Sequence, residues 1–329
     1  MTKGHVLLLG QVALAQSEWT ALAEFAKLSI DDSNSKAELI ENFKGKYSDV
    51  NVIYHMNGSK SAFHIDEEVI DAFPDSVKFI AHNGAGYDMI NANALIKRGV
   101  KLSNTPGSVD DATADVNFFL ILGALRGFNL ALNNLRQGNW TNGLPLTHDP
   151  EGKVLGILGL GGIGRAVKRR ADAFDITTQY HNRKPLSDEL AGGAKYVSFD
   201  ELLATSDIIS LNLPLNAHTR HIINKEAIAK MKDGVVIVNT ARGAVIDEAA
   251  LVEALESGKV ASVGLDVFEQ EPKIHPGLLN NKNVILLPHV GTRTFETQKK
   301  MEIQVLDNVK SALINNKLLN IVPEHAHLV

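Results

Sequence analysis

Short unbroken apolar runs alternate along this chain with stretches whose apolar residues recur every three or four positions. Val6 to Leu9, Val52 to Tyr54 and Val77 to Ile80 are runs of strand length. Their length and largely apolar composition predict strands. Trp19 to Ala26 and Glu67 to Phe73 carry helical spacing between them. The first hundred residues therefore predict a small α/β unit.

The alternation becomes regular from Val154. Strands are predicted at Val154–Leu158, Ile176–Tyr180, Ile208–Leu213, Val235–Val238, Ala261–Val267 and Val284–Leu287. Helices are predicted at Arg165–Phe174, Lys225–Met231 and Asp247–Glu256, the last stopped by Gly258. Ser198 with Glu201 forms a capping box that opens a short helix to Ala204. Strands separated by helices in this order predict a parallel, doubly wound sheet. A last helix, Phe295 to Asn315, is expected to cross back to the N-terminal unit.

Between the two halves, Asn104-Thr105-Pro106-Gly107 punctuates the chain, and a long helical region follows. Ser108 or Asp110 is a candidate cap, and Gly127 a candidate interruption. The apolar block Phe118 to Leu125 is far below the roughly 20 residues of a spanning helix. It reads as a buried interdomain or subunit-contact helix. Trp140 to Pro150 has turn composition and is expected to be an ordered loop.

Length changes this picture in one respect: 329 residues exceed the size at which single cores stop growing, so two domains are expected. Charged residues make up 22% and the net charge is -5 with both signs mixed, which leaves no basic surface for nucleic acid. The absence of cysteine excludes disulfides, thiol nucleophiles and thiolate metal sites, and fits a cytoplasmic protein. The first apolar run is too short for a signal peptide, and no membrane association is expected.

The chemistry begins at Gly159-Leu160-Gly161-Gly162-Ile163-Gly164, which follows a predicted strand and opens a predicted helix. That context turns a weak glycine pattern into a dinucleotide site. Gly159 allows the tight turn, Gly161 lets a pyrophosphate approach backbone, and Gly164 lets helix pack on strand. The strand end about 20 residues on reads Tyr180-His181-Asn182-Arg183-Lys184 and contains no acid to hold a ribose 2′-hydroxyl. Asn182 can bond a 2′-substituent, and Arg183 can pair with a 2′-phosphate, helped by His181 or Lys184. NADPH is therefore the expected cofactor, with NADH still admissible.

Several spaced segments in order carry a family resemblance. They are Asn83-Gly84-Ala85-Gly86-Tyr87-Asp88, Asn104-Thr105-Pro106, the glycine turn, Asn239-Thr240-Ala241-Arg242-Gly243, Gly264 to Pro272, and Pro288-His289-x-Gly291. Over nearly its whole length the chain resembles the D-isomer-specific 2-hydroxyacid dehydrogenases. The Tyr180-His181-Asn182-Arg183 signature is most like that of fungal glyoxylate reductases within that family. The resemblance implies a two-domain α/β fold, in which a Rossmann-type sheet is inserted in a smaller flavodoxin-like substrate domain, with a cleft between them. The expected boundaries are 1–104 for the first part of the substrate domain, 105–291 for the NAD(P)-binding domain, and 292–329 for the returning segment.

The family's catalytic arginine, acid and histidine match Arg242, Glu271 and His289. The chemistry is consistent without the resemblance. Hydride addition to a 2-keto acid builds negative charge on the carbonyl oxygen, and an imidazolium can protonate it. A carboxylate beside that ring favours its charged form and fixes its orientation. An arginine can fork onto the substrate carboxylate and polarise the carbonyl. No metal is required.

The resemblance also implies that Asp266 contacts the nicotinamide amide and that Thr113, Pro214, Thr219, Thr240 and Gly291 line the cofactor pocket. The backbone of Gly84, Ala85 and Gly86 is expected to receive the substrate carboxylate, since glycines admit close approach and an N–H nest holds an anion. Met56 and Asn57 are candidates to face the substrate side chain, with Tyr87, Arg293 and Phe295 as further candidates. Trp140 corresponds to a loop tryptophan that, in similar reductases, reaches across a homodimer into the partner's active site.

These readings converge on reduction of glyoxylate, hydroxypyruvate or a similar 2-keto acid to the D-hydroxy acid. Mandelate or 2-hydroxyisocaproate dehydrogenase activity is the alternative within the family. Formate oxidation fits poorly: it needs no oxyanion proton, and the sister enzymes carry Gln where this chain has Glu271. A reading of a different class is a dinucleotide-sensing corepressor, which inactivity over a full panel of 2-keto acids would favour.

Overall fold

The protein is seen in a computed structural model that describes residues 4–56 and 63–328. The chain divides into two compact units, Met1–Val109 with Thr294–Val329, and Asp110–Arg293.

The first unit holds strands β1 (Gly4–Leu9), β2 (Ala26–Ile30), β3 (Val52–Met56), β4 (Phe79–Asn83) and β5 (Lys101–Ser103). They pair in parallel in the order β2-β1-β3-β4-β5, the flavodoxin-like order. The strands are apolar runs because both faces are covered. Leu7, Ile53, Ile80 and Leu102 enter one core, and Val6, Leu8, Val52, Tyr54 and Phe79 the other. The helix Phe295–Asn315 returns onto β3 and β4 and buries Val305, Leu306 and Val309 there. Each such side chain contributes about 1.5–3 kcal/mol by leaving water.

Two elements of this unit escape the hydrophobic pattern. The run from Trp19 is helical only over Gln16–Ala21, tightens into a 3₁₀ turn at Leu22–Glu24, and enters β2 at Ala26. As an edge strand, β2 is only partly covered and so lacks a continuous apolar run. The polar helix Lys36–Lys44 has Ser35 as its N-cap and buries only Leu39 and Phe43.

The second unit holds β6 (Val154–Leu158), β7 (Thr177–His181), β8 (Lys195–Tyr196), β9 (Ile208–Leu211), β10 (Val235–Asn239), β11 (Val260–Leu265) and β12 (Val284–Leu286). Their order is β12-β11-β10-β9-β6-β7-β8, all parallel. This is the doubly wound Rossmann order with one extra strand, and its switch point lies between β6 and β9. Val235 and Ile237 face one core, while Val236 and Val238 face the other.

The apolar helix Asp110–Leu125 packs on β10 and β11, where Gly264 leaves room for Leu120. Gly127 takes a left-handed φ of 58° and starts a second helix, Phe128–Arg136, bent 72° from the first. That bent pair has the apolar composition of a span, but its first helix is largely buried against the sheet. No single helix among the described residues is long and apolar enough to cross a membrane. Ser108 does not cap the helix; its hydroxyl donates to Gln304 Oε1 at 2.6 Å.

Candidate active site

The glycine turn sits at the switch point of the second unit. Gly159 has φ of 99°, and a Cβ there would meet the Asn212 carbonyl oxygen at 2.7 Å, beyond the end of β9. A Cβ on Gly164 would strike the Gly159 carbonyl, so helix Gly162–Asp172 lies directly on the turn. Gly161, by contrast, faces open space and caps the helix without a side-chain bond. The first helical N–H groups thus lie beside open space at Gly161, with the Asp110 carboxylate against Gly162, and the Gly161 side of the turn fits a pyrophosphate. Ile163 lies in the first turn of this helix.

His181 ends β7; its Nδ1 bonds the Val197 carbonyl at 2.9 Å and its ring stacks on Tyr196. Asn182 has one half of its amide engaged: Oδ1 accepts the Leu160 N–H at 2.8 Å and so holds the glycine turn. Its amide NH₂ remains for a ligand. Arg183 and Lys184 are exposed and have no side-chain bond or ion pair among the described residues.

Thr113 is buried on the helix Asp110–Leu125 and lies against Gly291 together with Asp266. Asp266 is fully buried, and its two oxygens accept the N–H groups of Val290 and Gly291, each at 2.8 Å. Burial pushes its carboxyl above the ordinary value despite those two donors. Asp266 therefore shapes the turn that carries His289, with lone pairs left over for an amide.

Thr219 turns inward on its own loop, donating to the Pro214 carbonyl at 2.6 Å. Thr240 Oγ1 accepts from Asn117 Nδ2 at 2.9 Å, and Asn117 Oδ1 receives the Ser210 hydroxyl at 3.0 Å. This buried polar chain under the strand ends has no signature in the sequence pattern. An asparagine on an apolar helix gives no sign of which strand ends it meets.

Arg242, Glu271 and His289 follow β10, β11 and β12 in turn, at the carboxyl ends of neighbouring parallel strands. Gly243 has no space for a Cβ because the Phe268–Glu269 backbone lies against it, which brings Arg242 to the segment bearing Glu271. Glu271 Oε1 accepts the Phe268 N–H at 2.9 Å, and Oε2 meets His289 Nδ1 at 2.9 Å. Burial works to raise the Glu271 carboxyl. The bonds from His289 and Phe268 and the charges of His289 and Arg242 outweigh it and hold the group below its ordinary value. His289 takes a left-handed φ of 54°, costly for a residue with a side chain. The Asp266 bonds to the next two residues hold that turn in place.

In the first unit, Gly84, Ala85 and Gly86 form the loop beyond β4, and Met56 ends β3 half-buried. Asn57 lies outside the described residues. Tyr87 donates its hydroxyl to Glu324 at 2.6 Å. Phe295 and Arg293 are exposed. Trp140 is exposed, with φ of 54°.

Comparison with known proteins agrees with this architecture. Residues 118–291 match the family model described as D-isomer specific 2-hydroxyacid dehydrogenase, NAD binding domain. The chain is 53% identical to 4-methyl-2-oxopentanoate reductase A of Aspergillus oryzae over 98% of each chain. It superposes on the crystal structure of a glyoxylate reductase from Paecilomyes thermophila with a TM-score of 0.97 at 56% identity, covering 99% of this chain and 100% of the other. An NADPH-dependent glyoxylate/hydroxypyruvate reductase from Sinorhizobium meliloti, solved with NADP and malonate, matches at 30% identity and a TM-score of 0.86 over 98% of each chain. The chain belongs to the D-isomer specific 2-hydroxyacid dehydrogenase family and is an oxidoreductase with an NAD-binding domain of Rossmann type.

Proposed function

We propose that this protein reduces small 2-keto acids, glyoxylate and hydroxypyruvate foremost, to D-2-hydroxy acids, preferring NADPH and accepting NADH. The observation that carries the reading is the Glu271–His289 contact, supported by Arg242 beside it. The bound reduced nicotinamide supplies the hydride. His289 then gives a proton from Nε2 to the carbonyl oxygen as charge builds there, while its Nδ1–H stays with Glu271. Arg242 holds the substrate carboxylate and polarises the carbonyl, and in the first unit the N–H groups of Ala85 and Gly86 make a nest suited to an anion. In oxidation His289 takes the proton back.

The preference for NADPH rests on Arg183 and Lys184, cations with no side-chain partner among the described residues, at a strand end lacking an acid. The NADP complex of the Sinorhizobium meliloti relative supports it. A second reading, reduction of branched 2-keto acids, is favoured by the Aspergillus oryzae relative named for 4-methyl-2-oxopentanoate. A homodimer is part of the proposal, supported by the exposed Leu132, Leu135, Trp140 and Leu146 on consecutive segments of the second unit. The cysteine-free composition supports a cytoplasmic setting.

The deciding experiment is a rate panel with NADPH and NADH over glyoxylate, hydroxypyruvate, phenylglyoxylate and 4-methyl-2-oxopentanoate. Arg183→Ala should lower kcat/KM for NADPH about ten-fold or more and leave NADH little changed. A wild-type preference for NADH sinks the cofactor reading, and a preference for the branched acid installs the second substrate reading.

A further inference from the structure

The loop Gly84-Ala85-Gly86 is half-buried and consists of two glycines and an alanine, so it has almost no side chain to anchor it. Its carbonyl oxygens are tied instead. Gly84 O accepts the Thr105 N–H at 3.0 Å, and Ala85 O accepts from Asn104 Nδ2 at 2.7 Å. Gly86 O lies 3.0 Å from His82 Nε2. Asn104 and Thr105 directly follow β5.

A peptide unit is rigid and planar, and in its trans form the C=O and the next N–H point in opposite directions. Both peptide units within this loop are trans. Holding Gly84 O therefore aims the Ala85 N–H, and holding Ala85 O aims the Gly86 N–H. Both are aimed away from the residues that follow β5. The nest is thus set from outside the loop, by a backbone N–H at Thr105 and by a side-chain amide at Asn104.

Asn104 is itself placed by the C-terminal segment. The Val322 N–H donates to Leu102 O at 3.0 Å, Ser103 and Ile321 form an antiparallel bridge, and the Asn104 N–H donates to Asn320 O at 3.3 Å. One end of that stretch is fixed by Asn308, fully buried on the helix Phe295–Asn315. Its Oδ1 accepts the N–H groups of Leu319 and Asn320 at 2.9 and 3.0 Å. At the other end His325, also fully buried, accepts the Leu102 N–H at Nδ1 and donates from Nε2 to the Ala92 carbonyl, at 3.1 and 2.8 Å. Beside it, the exposed Glu324 accepts the Tyr87 hydroxyl at 2.6 Å, one residue beyond Gly86. The segment therefore reaches the loop at two points, through Asn104 at Ala85 and through Glu324 at Tyr87.

We propose that the C-terminal segment Leu319–His325 is the brace that aims this nest, and that Asn104 and Glu324 are positioning residues for a substrate carboxylate. The proposal rests on the reading of the Gly84–Gly86 loop as an anion site. Asn104 acts through the Ala85–Gly86 peptide, and Glu324 through Tyr87.

The test compares Asn104→Ala, Glu324→Leu and Glu324→Gln with wild type. Steady-state kinetics on glyoxylate are read together with thermal melts, cofactor affinity and the affinity for oxamate, a carboxylate without a reducible ketone, in enzyme loaded with reduced cofactor. Asn104→Ala should raise the KM for glyoxylate and the Kd for oxamate about ten-fold, with kcat moved far less and cofactor affinity kept. Glu324→Leu, at an exposed position that does not endanger folding, should raise the same two constants about three-fold. Glu324→Gln still offers the Tyr87 hydroxyl an oxygen and should recover that loss. A lowered Tm with wild-type KM and Kd in Asn104→Ala and Glu324→Leu is what a merely structural contact gives, and it overturns the proposal. The nest is checked separately by nuclear magnetic resonance on wild type labelled at alanine and glycine nitrogen, where the Ala85 and Gly86 amide signals should shift when oxamate is added. If they shift while both variants keep wild-type constants, the nest stands and the brace is wrong. If they do not shift, both fall together.

Discussion

Glu271 Oε2 lies 2.9 Å from His289 Nδ1, although 18 residues and a strand separate the two in sequence. The contact leaves Nε2 as the ring nitrogen available to a substrate. It also fixes the sign of the local electrostatics, because the carboxyl is held below its ordinary value by the ring and by Arg242 against the opposing effect of burial.

Replacing that carboxylate by a neutral amide should separate orientation from charge. Glu271→Gln keeps an oxygen for the Nδ1–H but no longer favours the imidazolium that reduction requires. Turnover in the reducing direction should fall roughly ten-fold at alkaline pH, with the alkaline limb of the kcat profile moved towards acid. Because the Glu271 pKa is depressed on folding, its contribution to stability is present above the unfolded-state value. It is lost as pH falls through the lower folded value. The Glu271 carboxylate thus stays ionised through neutral pH. An alkaline limb that does not move in the variant would refute the assigned role.

Trp140 is 72% exposed and Leu146 wholly so, at the end of a segment that also exposes Leu132 and Leu135. Light scattering should report a dimer, and Leu132→Asp with Leu135→Asp should shift it towards monomer. Trp140→Ala should raise the KM for the keto acid several-fold without altering cofactor affinity, as expected if the ring serves a partner's site. A monomeric wild type, or a Trp140→Ala enzyme with wild-type KM, would remove this part of the proposal.

Glu302 is buried on the helix Phe295–Asn315, and its carboxylate accepts the N–H groups of Ala13, Leu14 and Ala15 at 2.7–2.8 Å. Glu302→Gln puts an NH₂ against at least one of those donors. An unsatisfied buried group costs about 1–3 kcal/mol, so thermal melts should show Tm lowered by several degrees. A wild-type Tm would show that the turn re-forms around the amide.

The seven-stranded sheet was largely legible because its strands other than the exposed two-residue edge strand β8 are mostly buried and its helices carry explicit stops. Ser198 accepts the Glu201 N–H as the capping box requires, and Gly258 ends its helix in the left-handed region. The edge strand β2 and the polar helix Lys36–Lys44 were not, since neither buries enough to impose a period. The sequence pattern assigns Asn182 to the ribose alone, yet its side-chain carbonyl oxygen also holds the glycine turn. A side chain's second partner lies beyond what local pattern encodes.

Sequence by itself determined the order of the well-buried strands and the helices between them in the second unit, the glycine turn and the residue types that can do the chemistry. Each of these is a local consequence of apolar spacing, backbone sterics and side-chain chemistry. Only the tertiary structure decided that Asp266 anchors the His289 turn, that Asn117 reaches Thr240, and that His55 and His82 meet behind the Gly84–Gly86 loop. The physical reason is register. Which side chains become neighbours across a parallel sheet is set by how whole layers pack, and a hydrogen bond a few ångströms long depends on that packing rather than on the spacing of either residue along the chain.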